Sequence, residues 1–184
     1  GFAVDATGSS IEFGGDATVS GAGTQCGDVT LDGSACTIDG VVDVDGDLTI
    51  EKASSIEGDF SVSGDVTTMD TSVGGTGTIT LDGDGDQTVS ADGGAGELHT
   101  VEISKDAGSV TISDRIRISG GYDDNGFAVD ATGSSIEFGG DATVSGAGTR
   151  FGDVSLDGGT ISVDGDVYVH GDVTVESMER LDGG

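Results

Sequence analysis

The chain contains no proline and no tryptophan, and only 6 lysines and arginines among its 184 residues. Against these stand 35 aspartates and glutamates, giving a formal net charge of −29. Such a surface repels phosphate backbones and anionic headgroups, so nucleic acid and membrane surfaces are excluded as partners. No run approaches the roughly 18 apolar residues of a membrane span, and no signal peptide is visible, so membrane insertion is not expected. The first residue is Gly and not Met, as expected of a mature or interior piece of something longer. Large apolar residues are also scarce: Val, Ile, Leu and Phe make up about 23% of the chain, just above the level of about 20% below which highly charged chains stay disordered.

What is abundant is glycine, with 36 residues, and aspartate, with 27 residues against 8 glutamates. Both residue types serve bends, glycine by adopting positive φ and aspartate by bonding nearby backbone groups. The scarcity of lysine has two open explanations: life in high salt, where screening makes a dense acidic surface tolerable, or calcium.

The strongest signal is self-similarity. Residues 1–24, GFAVDATGSSIEFGGDATVSGAGT, recur unchanged at 126–149. The match continues more loosely, QCGDVTLDG (25–33) becoming RFGDVSLDG (150–158) and TIDGVVDVDGDLTIE (37–51) becoming SVDGDVYVHGDVTVE (162–176). The chain therefore reads as a first repeat, 1–125, and the start of a second, 126–184, continuous with it in one rod. Ala17/Val19, Val29/Leu31, Val42/Val44 and Leu48/Ile50 stay apolar in the second copy, while their neighbours drift: Val41 becomes Asp166, Asp43 becomes Tyr168 and Asp45 becomes His170. One strict face and one free face at period two is the strand signature.

A finer period fixes the architecture. Inward pairs begin near 29, 36, 42, 48, 56, 60 and 66, and every third one returns after 18–19 residues: Val29, Leu48, Val66. The expected fold is all-β, a right-handed parallel β-solenoid (β-helix) with three short strands per coil of about 18–20 residues. Nine or ten such coils would form a rod about 45 Å long at the usual strand spacing. A sandwich of antiparallel hairpins has no need for the third-strand recurrence. Thr30, Thr49 and Thr67 share the same spacing and are expected to stack in one outward column. Neither end reads as a cap. Gly184 aligns with Asp59, so an excerpt of a longer covalent array is expected in preference to a subunit polymerising end to end.

The stretch GDGDQTVSADGGAGELHTVEISKDAGSVTISDRIRISG (83–120), together with the runs GDVTLDG and GDVYVHGDVTVE, resembles the filamentous-haemagglutinin-type β-helix adhesins and related stalk proteins. In those a Gly-rich turn and a Gln open a strand, a Leu-centred strand follows, and then a Gly-Val strand. Here the matching positions are Gln87, Leu98 and Gly108/Val110. The resemblance implies an extracellular or cell-surface structural protein. Bactofilins, which are cytoskeletal β-helices, have similar Gly-Asp-Val coils. Their resemblance is weakened here by the charge and by the 125-residue repeat.

Chemistry-bearing residues are few. Cys26 and Cys36 become Phe151 and Ile161 in the second copy, so both are core-facing. They change together, as a disulfide across the interior would, although two buried thiols fit the same pattern. Two cysteines and the distant His99 and His170 do not make a zinc site. Asp82, Asp84 and Asp86 form a D-x-D-x-D run like the first half of a calcium loop. Gln87 and Gly93 stand where that loop wants Gly and Glu, so the run is either a calcium site or a solvated acidic turn. The cations Lys52, Lys105, Arg115, Arg117, Arg150 and Arg180 are spread out, and no nucleophile–base arrangement is recognisable, so no enzyme is expected. The expected function is a structural segment of an extracellular filament, stalk or giant surface protein, extended along its axis by self-association or by covalent continuation. An adhesin module with a calcium- or carbohydrate-binding face is the alternative, and a bactofilin-like filament the third reading.

Overall fold

The computed structural model describes residues 5–20, 23–33, 35–52, 55–69 and 74–183. These residues contain no helix, and every strand pairing among them is parallel. The chain winds into a β-solenoid of about nine turns.

One coil shows why. Thr24–Cys26 lies on a first facet, and after the Gly27-Asp28 corner Val29–Asp32 lies on a second. Ala35–Val44 then runs along a third facet, bends, and reaches the first facet one coil further on, where Val42 stacks on Thr24 and Val44 on Cys26. The bend contains Gly40 at φ 113°, a conformation that a side chain would resist. Alternation does the rest: Val29 and Leu31 point inward and are buried, while Thr30 and Asp32 point outward.

Register along the first facet is continuous, through Asp5, Gln25, Asp43, Ser61, Thr80, Glu102, Asp123, Thr143, Ser162 and Asp182. The second facet runs from Ile11 through Val29, Leu48, Val66 and Val89 to Ile112; Val110 and Thr111 of that strand pair with Val129 and Asp130, and the next residue, Ala131, leads on to Phe151 and Val169. The expected threonine column stands on it: Thr30 pairs Thr49 and Thr49 pairs Thr67. Ser90 prolongs the column, its hydroxyl 3.4 Å from that of Thr67.

The coil length departs from expectation in the middle of the rod. Val66 stacks beneath Val89 and Gln87 beneath Val110, a step of 23 residues. The extra residues are spent at two long corners, between Leu81 and Gln87 and between Ile103 and Val110. Asp45 and Asp47 lie in the corner after Val44.

The core is a thin inward layer, in which Leu48, Ile50, Val62, Val66 and Leu81 are fully buried. Where the first repeat meets the second, three facets each send in a ring. Tyr122 and Phe138 lie 5.4 Å apart, and Phe138 and Phe151 5.9 Å apart and edge-on, a geometry that favours aromatic pairs.

Candidate functional site

The most regular polar feature is built from the Gly-Asp pairs that precede strands. Asp28 accepts the backbone N–H of Asp47 at 3.1 Å, Asp47 that of Asp65 at 2.8 Å, and Asp65 that of Thr88 at 2.7 Å. The same clamp recurs at other corners, Asp16 to Ala35, Asp59 to Thr78, Asp141 to Thr160 and Asp153 to Asp172. At each of these corners one carboxylate oxygen satisfies an amide of the next coil that the turn leaves without a ladder partner. The glycine before the aspartate makes this possible. A Cβ on Gly46 would fall 2.1 Å from the Asp28 carboxylate, and one on Gly171 2.0 Å from that of Asp153. Asp124, which follows Asp123 and not a glycine, also joins two coils: it is fully buried, and its Oδ1 accepts the amides of Gly126, Ser145 and Gly146 and the Ser145 hydroxyl. The Gly-Asp aspartates, expected as turn formers, also tie one coil to the next. The recurrence of Gly-Asp at 28, 47 and 65, in step with the coil, is the signal that marks this role.

The long corners hold a second construction. Gln87 is buried at the start of its strand and uses all its amide valences. Its Nε2 donates to the carbonyls of Val62 at 2.8 Å and Gly64 at 2.6 Å, and its Oε1 accepts from the Gly83 amide. Lys105, one coil later, folds its ammonium in beside it. The Nζ donates to the carbonyl of Gly83, to that of Gly85 at 2.9 Å and to Gln87 Oε1 at 2.7 Å. All three ammonium hydrogens are thus used. Burial pulls the Lys105 pKa below its ordinary value, opposed by the charges of Asp82, Asp84 and Asp86.

This arrangement bears directly on the expected calcium ligands. The cation inside the 82–87 turn is the Lys105 ammonium. Asp82 accepts hydroxyl bonds from Ser61 and Ser63, and Asp86 accepts one from Ser109 at 2.7 Å. Among the described residues no three His, Cys, Asp or Glu side chains are gathered to hold a metal ion. Leu98 and Val110, singled out with Gln87 by the resemblance, are buried on their strands. A Cβ on Gly108 would strike the Gly85 carbonyl at 2.1 Å.

Cys26 and Cys36 are buried, unlinked thiols. Both line an apolar cavity of about 330 Å³ in the first coils, with Phe13, Val19, Ile38 and Phe60. Burial raises both thiol pKa values, and Asp45 adds to the effect at Cys26. Several cations lie beside acids: Lys52 at 3.5 Å from Asp32, Arg117 at 3.3 Å from Glu137 and 3.9 Å from Asp157, and Arg180 at 2.6 Å from Asp182. Lys105, Arg115 and Arg117, close in sequence, do not form one cationic patch, because Lys105 is turned inward. An open groove of about 470 Å³ on the first facet is lined by hydroxyls and carboxylates, including Thr100, Glu102, Asp123, Thr143 and Ser162. Its one aromatic residue, Tyr122, is buried.

The last coil carries the largest apolar exposure. Val173, Val175 and Leu181 are 57%, 55% and 58% exposed, and Tyr168 and Val169 join them. Their counterparts in the first copy, Leu48, Ile50 and Ile56, are 0%, 0% and 3% exposed, because strands of the following coil cover them. Comparison with protein families, curated proteins and solved structures finds no match to this chain.

Proposed function

We propose that this chain is a structural repeat segment of an extracellular filament, stalk or large surface protein, extended along the solenoid axis. The carrying observation is the unbroken register of the first facet, which runs from Asp5 in the first repeat to Asp182 in the second, so that both repeats stack in one solenoid. The Gly-Asp clamp supports the same reading, tying coil to coil at Asp28, Asp47 and Asp65. Placement outside the cell rests on the resemblance of 83–120 to surface proteins.

The test is electron microscopy of the native material with sedimentation of the purified 184-residue chain. Unbranched rods thicker in neither direction than one coil support the reading. A globular particle, or a compact species whose last coil is protected from hydrogen exchange without axial association, would rule it out. A binding module is the second reading, favoured by the hydroxyl- and carboxylate-lined groove on the first facet. Saturable binding of a glycan, lost in chelator or on Thr143→Arg, would establish that version.

A further inference from the structure

The repeat does not return to the facet on which it started. Asp5 lies on the first facet, and six register steps carry that facet through Gln25, Asp43, Ser61, Thr80 and Glu102 to Asp123. The residue that repeats Asp5 is Asp130, which lies one strand further on and pairs with Thr111 on the second facet. The shift holds along the whole duplicated segment. Ile11–Phe13 pairs with Val29–Leu31 on the second facet, whereas the identical Ile136–Phe138 pairs with Ile116–Ile118 on the third. Ala17 pairs with Cys36 on the third facet, whereas Ala142 pairs with Tyr122 and Ile161 on the first. A repeat of 125 residues is thus six coils and one strand over.

The shift changes what the same side chain meets. Glu12 has Thr30 as its register neighbour, while Glu137 stacks on Arg117 and lies 3.3 Å from it and 3.7 Å from Arg115.

We infer that the rod displays its repeated surface as a spiral, each repeat carrying the same outward residues one facet, about a third of a turn, around the axis. The inference deepens the rod reading above and rests on it. Such a rod offers a neighbour lying alongside no continuous repeated facet, since the same facet of the same residues returns only after three repeats, about 90 Å at the usual strand spacing.

The test reads the register directly, by oxidation of double-cysteine variants and mapping of the linked peptides. Outward neighbours on adjacent parallel strands lie within disulfide reach. Thr30→Cys/Thr49→Cys reports coil stacking within the first copy. Thr111→Cys/Asp130→Cys and Arg117→Cys/Glu137→Cys report the shifted register, and Thr111→Cys/Glu137→Cys the unshifted one. The expected result is that the first three pairs link and the fourth stays reduced. Linking of the fourth pair overturns the spiral. Linking of 30–49 without 111–130 or 117–137 also overturns it, while leaving the rod intact. Failure of 30–49 itself would bring down the rod reading and the spiral with it.

Discussion

Residues 5–20 and 130–145 have one sequence in two settings. In the interior copy Ile136, Phe138 and Val144 are buried, whereas in the first coils Ile11, Phe13 and Val19 are only half-buried. The local turn is the same in both: Asp5 accepts the Thr7 amide at 3.2 Å, and Asp130 accepts that of Thr132 at 3.1 Å. Turns are therefore written within a few residues, while burial is conferred by the coil on either side. The other end of the rod gives the mirror case, with Val173 open where Leu48 is closed.

The sharpest way to break this comparison is to place a charge at one inward position in both copies. Leu48→Asp buries an unpaired carboxylate and is expected to cost about 4 kcal/mol or more. Val173→Asp is expected to stay within about 0.5 kcal/mol in denaturant titrations of the isolated chain. Equal losses would mean that the last coil is covered after all.

A second contrast concerns filling. Phe151 packs edge-on against Phe138, and Phe151→Cys is expected to cost about 2–3 kcal/mol. At the matching position Cys26 borders a cavity of about 330 Å³, so Cys26→Phe is expected to raise stability by about 1 kcal/mol. A fall in thermal midpoint for Cys26→Phe would show that the first coils are closed to a ring.

The clamp comes next in size. Asp47→Ala leaves the Asp65 amide without its acceptor and is expected to cost about 1–2 kcal/mol, with Asp47→Asn keeping most of the bond. Asp172→Ala in the isolated chain is expected to change nothing measurable. A loss at 172 equal to that at 47 would remove the clamp as the cause.

The smallest expected difference is in acid. The hydrogen bonds from Thr132, backbone amide first and hydroxyl second, hold Asp130 below the usual carboxylate range. The Thr7 side chain and amide do the same for Asp5. A folded-state pKa below the unfolded one stabilises above the unfolded value and loses that stabilisation as pH falls through the folded value. Asp130→Asn should therefore flatten the acid limb of the stability curve below about pH 4, and Asp5→Asn should do so to a similar extent, because this turn is local. Thermal melts of both variants between neutral and acid pH test the equivalence.

The same division explains what the sequence discloses. Strand positions and inward faces are legible because two copies of one segment show which residues are held and which drift, as at Val42/Val44 against Asp43. The stacked threonines follow from the same count. The Lys105 ammonium was not legible, because two of its three partners are main-chain carbonyls one coil below, which leave no mark in the side-chain pattern. The long corners at 82–86 and 104–109 hid the facet shift, since a coil of constant length gives no warning that 125 residues end a strand out of phase. The acidic run 82–86 reads from its own residues as an ion loop or a solvated turn, and nothing in that run announces the Lys105 ammonium that lies inside the turn.

One further consequence follows from the winding. About nine coils at strand spacing make a rod of roughly 43 Å, which carries a formal charge of −29. That is about one negative charge per 1.5 Å of axis, a density close to that of duplex DNA. The molecule is therefore a polyelectrolyte in the strict sense, and bulk cations condense along it as they do along nucleic acid. Its electrophoretic mobility should then be nearly independent of its length, and its stability should follow the logarithm of salt concentration.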